Sequence, residues 1–142
     1  MGRIVVGLDS SQDSERALRW AIDEARMRGS ELELVHAFPT PELVALPAVV
    51  TLPTDDELRG SALEILDEAV ARVGAIDDVP VIRTVRPGGA ASVLCELSHD
   101  AELLVVGARG LGGFRGLLLG SVTHQVVAHA TCPVVVTVPH DR

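Results

Sequence analysis

The sequence predicts an α/β protein with a mostly parallel sheet and helices on both faces. Two observations predict it. Short apolar runs of strand length alternate with segments of helical period, giving the order β-α-β-α-β-α-β-α-β. The fourth apolar run, residues 103–106, contains no polar residue, as expected of a strand covered on both faces at the centre of a sheet.

Each element has its own signal. Residues 4–8 read as a buried first strand. Ser10 opens a helix, with Asp13 as its capping-box partner. Ala17, Leu18, Ala21, Ile22 and Ala25 form the apolar face of that helix, and Gly29 stops it. Residues 32–38 are the second strand. Pro39, Pro41, Pro47 and Pro53 forbid regular structure through most of the next stretch, which is apolar enough to pack over a neighbouring surface, the favoured reading, or to cover a ligand. Thr54 and Glu57 form a second capping box. The helix after it turns Leu58, Ala62, Ile65, Leu66, Ala69 and Val73 to the core and ends at Gly74. Residues 79–85 are the third strand, and Pro87-Gly88-Gly89 is a turn. A short helix carries Ala90, Val93, Leu94 and Leu97. After the fourth strand comes a glycine-rich segment, residues 107–121, and then a helix with Val122, Val126, Val127 and Ala130. Residues 134–138 are the fifth strand. Residues 1–142 read as a single domain.

Composition narrows the function. The formal net charge of −8 argues against nucleic acid and against an anionic membrane surface. All 12 basic residues are Arg; with no Lys, a Walker A loop and Schiff-base chemistry are excluded. No apolar run reaches the roughly 18 residues of a membrane span. The first strand begins almost at once, leaving no room for a signal peptide, so a soluble, cytoplasmic protein is expected. Cys95 and Cys132 fit no metal or redox spacing and read as reduced, mostly buried thiols.

In an open parallel sheet, ligands sit at the carboxyl ends of the strands. Two such places carry chemistry. The first runs from Gly107 through Arg109, Gly110, Gly112, Gly113, Arg115 and Gly116 to Gly120 and Ser121. Glycines allow close backbone approach and positive φ, and successive amides then form an anion nest. The following helix adds its positive dipole end. The Ser121 hydroxyl is placed to cap that helix and to donate to a phosphate. Arg109 and Arg115 add positive charge. The second place is the first strand-helix turn, Gly7-Leu8-Asp9-Ser10-Ser11. Asp9 there suits Mg²⁺ beside phosphates, hydrogen bonds from a sugar, or simple helix-entry capping. With a single glycine, this turn is no dinucleotide fingerprint, which argues against NAD.

Gly107-x₂-Gly110-x₉-Gly120-Ser121 matches the G-x₂-G-x₉-G-[S/T] pattern of ATP-binding universal stress proteins. Residues 4–11 and Cys132-Pro133-Val134-Val135-Val136 resemble that family too. The resemblance implies a Rossmann-like, doubly wound five-stranded sheet in the order 3-2-1-4-5. That order sets Asp9 opposite Gly107 across one crevice. It further implies ATP with Mg²⁺. Gly107, Arg109, Gly110, Gly120, Ser121 and Val122 would meet the ribose and phosphates. Gly7, Leu8 and Asp9 would lie by the adenosine, and the backbone of Ala37, just after strand two, by the adenine. A homodimer through strand 134–138, regulating an unidentified partner protein in the stress response, completes the implied function. The alternatives are a slow ATPase or phosphotransferase at the same site, and an interaction module without nucleotide. His36, at the end of strand two, reads as packed and hydrogen-bonded or as a border of the adenine site. His124 and His129, five apart on a helix, do not make a metal pair.

Overall fold

The computed structural model describes residues 2–40, 53–110 and 119–139. Its elements are β1 (Arg3–Gly7), α1 (Gln12–Arg28), β2 (Glu31–Phe38), α2 (Asp55–Val73), β3 (Val81–Pro87), α3 (Ala90–Leu97), β4 (Leu103–Gly107), α4 (Ser121–His129) and β5 (Val134–Thr137). All neighbouring strands pair in parallel, in the order β3-β2-β1-β4-β5. The fold is therefore the Rossmann-like sheet implied by the sequence. The Pro39–Pro53 stretch and the glycine-rich segment fall largely outside the described residues.

Side chains alternate across a strand, so the sheet has two cores. Ile4, Val6, Leu32, Leu34, Leu103 and Val105 pack with Ala17, Leu18, Ala21 and Ile22 of α1 and Leu66 of α2. Val5, Val35, Leu104 and Val106 pack on the other face with Val93 and Leu94 of α3 and Val126 of α4. Helices α1 and α2 cover one face of the sheet, and α3 and α4 the opposite one. The strand order reverses between β1 and β4, whose carboxyl ends open a crevice at that point. All five residues of β4 are buried, as its wholly apolar run foretold.

Several local expectations are corrected. The N-cap of α1 is Ser11, not Ser10: Ser11 Oγ accepts from Ser14 N–H at 3.0 Å. Ser10 instead takes a left-handed φ of 74°, and Asp13 makes no capping box. β3 starts at Val81 rather than Val79 and takes in Pro87, and β5 stops at Thr137. On α4 the buried pair is Thr123 and Val126, whereas Val122 and Val127 are exposed. Other expectations match. Thr54 caps α2 through Glu57 N–H, Gly29 sits at φ 66° after α1, and Gly74 follows α2. Cys95 and Cys132 are free and half-buried, and burial pushes both thiols up. Among the described residues, no helix is long and apolar enough to cross a membrane.

Candidate functional site

A cleft of about 300 Å³ opens at the carboxyl ends of β1, β2 and β4. That volume lies at the lower end of small-molecule sites, which run from about 300 to 1,000 Å³. Gly7, Leu8, Asp9, Ala37, Gly107, Arg109, Gly110 and Val122 all line it. Gly120 and Ser121 do not. Gly120 packs behind the wall, where a Cβ would sit 3.2 Å from Arg109 Cα. One end of the cleft is apolar, formed by Val35, Ala37, Ala90 and Leu94. The other is polar, formed by Asp9, Ser11, Ser14, Arg109 and the start of α4. Ala37 lies inside β2, not after it.

The β1–α1 turn is tightly built. Asp9 Oδ1 accepts from Ser11 N–H at 3.0 Å, and Asp9 N–H donates to the buried Ser14 Oγ at 3.3 Å. These bonds hold Ser10 in a region that non-glycine residues rarely occupy. Such strain at a cleft is characteristic of a site. His36 lies within β2 and lines the cleft; its Nδ1 donates to the Leu8 carbonyl at 2.7 Å. Since a carbonyl only accepts, this bond fixes the proton on Nδ1.

The motif glycines Gly107, Gly110 and Gly120 are required for room, not for φ. Gly107, Gly110 and Gly120 all avoid positive φ, against the sequence expectation. A Cβ on Gly107 would meet the backbone of Asp13 at 2.7 Å. A Cβ on Gly110 would collide with the Asp9 carboxylate. Asp9 therefore faces Gly110 even more closely than Gly107.

The start of the glycine segment is tied down on every side. Thr123 Oγ1 donates to the Gly107 carbonyl at 2.8 Å. Ala108 N–H donates to the Thr137 carbonyl at 3.0 Å, and Gly120 N–H to the Ala108 carbonyl at 2.7 Å. Arg109 N–H donates to Asp13 Oδ2 at 3.0 Å. The amides of Ala108, Arg109 and Gly120 are thus engaged by protein, which narrows the expected nest. The first-turn amides of α4 have no partner within the helix, and two residues of that turn, Val122 and Thr123, line the cleft. Gly120 is the N-cap there and offers no side chain, so Ser121 does not cap the helix. Ser121 is exposed, and its Oγ accepts from Gln125 Nε2 at 3.4 Å. Arg115 lies outside the described residues.

Sequence reading missed Asp13 and Thr123 as site residues. Thr123 had a local signal, a hydroxyl three residues after the last motif glycine. Asp13 had none, because its partner lies 96 positions away. Among the described residues, no group of three or more His, Cys, Asp or Glu is placed to hold a metal.

Comparison with known proteins agrees with this geometry. The model of the universal stress protein family matches residues 1–138. Universal stress protein Rv2005c of Mycobacterium tuberculosis is 41% identical over 133 residues, covering 94% of this chain and 44% of its own length. The chain spans about half the length of the curated relatives it matches. A universal stress protein solved in complex with cAMP is 31% identical, with a TM-score of 0.71 and 96% of each chain covered. One from Archaeoglobus fulgidus in complex with dAMP is 25% identical, with a TM-score of 0.68, covering 96% of this chain and 97% of its own.

Proposed function

The chain belongs to the universal stress protein family, and from that premise we propose that its cleft binds ATP with Mg²⁺ as a regulatory ligand. One observation carries the reading: eight of the ten residues named from the motif and its flanks line a single cleft at the switch point. The apolar end suits a base, with Ala37 offering its backbone. The β1–α1 turn suits a ribose, with Asp9 as hydrogen-bond acceptor. The amides of Gly110 and of the first turn of α4, including Ser121 and Val122, suit phosphates, and Arg109 supplies charge. The relatives solved with cAMP and dAMP support an adenine nucleotide. Asp9 is the one carboxylate among the lining residues. Mg²⁺ at this place would therefore be held mainly by phosphate oxygens and water, as is usual for that ion.

A signalling role is favoured over turnover. There is no lysine to neutralise a transferring phosphoryl group, and Asp9 Oδ1 is already committed to Ser11 N–H. The protein acts as a cytoplasmic single-domain homodimer in the stress response, its nucleotide state read by a partner protein. β5 is the edge of the sheet, and Val138 beyond it is 47% exposed, which suits strand pairing between two copies.

Freshly purified protein is expected to release adenine nucleotide on denaturation, seen by mass spectrometry. ATP with Mg²⁺ is expected to raise its melting temperature. Phosphate release is expected to stay near background. No released nucleotide together with no melting shift would sink the reading. Robust turnover lost in an Asp9→Ala chain that still binds ATP would convert it to the enzyme alternative.

A further inference from the structure

We propose that Asp13 is a positioning residue for the phosphate side of the cleft, holding the backbone of Arg109 through its carboxylate. The inference rests on the nucleotide reading above and adds a role to a residue of α1 outside the cleft lining.

A carboxylate beside a phosphate site is electrostatically unwelcome. It would repel the ligand in a chain already at −8. Here the charge is offset locally: Arg16 pairs with Asp13 Oδ1 at 3.0 Å. The other oxygen, Oδ2, accepts from Arg109 N–H at 3.0 Å. The side chain is therefore present for its acceptor, and its charge is a liability that Arg16 masks. Position matters as much as chemistry. Asp13 sits in the first turn of α1, and its backbone is the surface against which Gly107 packs with no room for a Cβ. The same residue thus braces β4 at its end and fastens the chain two residues later. Beyond that point lies Gly110, whose close approach to Asp9 shapes the cleft. Releasing Arg109 would let the phosphate side drift while leaving the base side, built from β2 and α3, in place.

The test compares adenosine, AMP and ATP with Mg²⁺ by calorimetry on the full chain. Asp13→Ala is expected to weaken AMP and ATP about tenfold, the size of one charge-assisted hydrogen bond. Adenosine is expected to change less than about twofold, because it lacks the phosphates. Asp13→Asn keeps an acceptor oxygen and loses the charge, so it is expected to bind all three as the unaltered chain does, or AMP and ATP more tightly. Asp13→Glu keeps the charge and misplaces the acceptor, so it is expected to follow Asp13→Ala; it serves equally if the alanine chain fails to fold. Equal losses for adenosine and the nucleotides would show a general structural role and overturn the proposal. Tighter binding of ATP by Asp13→Ala would show that only charge matters there, and would overturn it too. If the unaltered chain binds none of the three, the nucleotide reading itself falls and this inference with it.

Discussion

A Gly107→Ala chain is expected to lose both nucleotide binding and a substantial part of its stability. The added Cβ would lie 2.7 Å from the carbonyl carbon and oxygen of Asp13. Neither atom can swing aside, because both belong to the first turn of α1. Either β4 or α1 must shift, and overpacking of this kind costs about 1–3 kcal/mol. The shift also carries Arg109 with it, since that amide is bonded to Asp13. Gly110→Ala supplies the contrast. Its Cβ would displace only the Asp9 carboxylate, the tip of a side chain. Stability is expected to change by less than about 0.5 kcal/mol, as for substitutions outside the core. Nucleotide affinity is expected to fall as far as in Gly107→Ala. Urea denaturation and ATP titration of the two chains check both halves. Equal stability losses would mean that the close approach at Gly107 is not what demands glycine there.

The second large effect is expected at Leu104. This side chain is fully buried on β4, between β1 and β5, against Val93, Leu94 and Val126. Leu104→Ala removes three carbons from a place where neighbours on four elements are already fixed. The expected loss is about 2–5 kcal/mol, the usual range for a cavity in a core. Domains of this size are stable by only about 5–15 kcal/mol, so the transition should move far toward lower denaturant. A loss under about 1 kcal/mol would mean that α3 and α4 collapse onto the vacancy. The core on that face would then be far more plastic than its burial suggests.

The fold was legible in the sequence because its main signals are local. The unbroken apolar run of β4, the capping Thr54 and Gly29 after α1 each act within a few residues. Errors arose where two neighbours were chemically equivalent. Ser10 and Ser11 both suit a helix cap, and the turn geometry chose the second. Val79 and Val81 both suit a strand start, and the register with Leu32 chose the later one. On α4 hydrophobicity alone would favour Val122 over Thr123 as the buried residue. The helix instead turns Thr123 inward, because the Gly107 carbonyl at the end of β4 needs a donor. The site was half legible. Residues of the motif and its flanks converge on one cleft, as the family resemblance implied. The positive φ expected of Gly107, Gly110 and Gly120 is absent, and the obstacles that exclude a Cβ at Gly107 and Gly110 come from Asp13 and Asp9, distant in sequence. Asp13 itself was invisible for the same reason: a side-chain bond to a backbone amide across most of the chain leaves no pattern in spacing.

The bond between Gly120 N–H and the Ala108 carbonyl has one more consequence. It brings Ala108, just after β4, against Gly120, the N-cap of α4, so the chain leaves the sheet and enters that helix at nearly one point. The closure cost of a chain strung between two such fixed points grows only slowly with its length. Doubling such a loop costs only about 0.6 kcal/mol of closure entropy. Insertions and deletions between those two points are therefore nearly free for β4 and α4. Foldability and the length of that stretch are thereby placed under separate selection, and one scaffold is free to diversify there without first being stabilised.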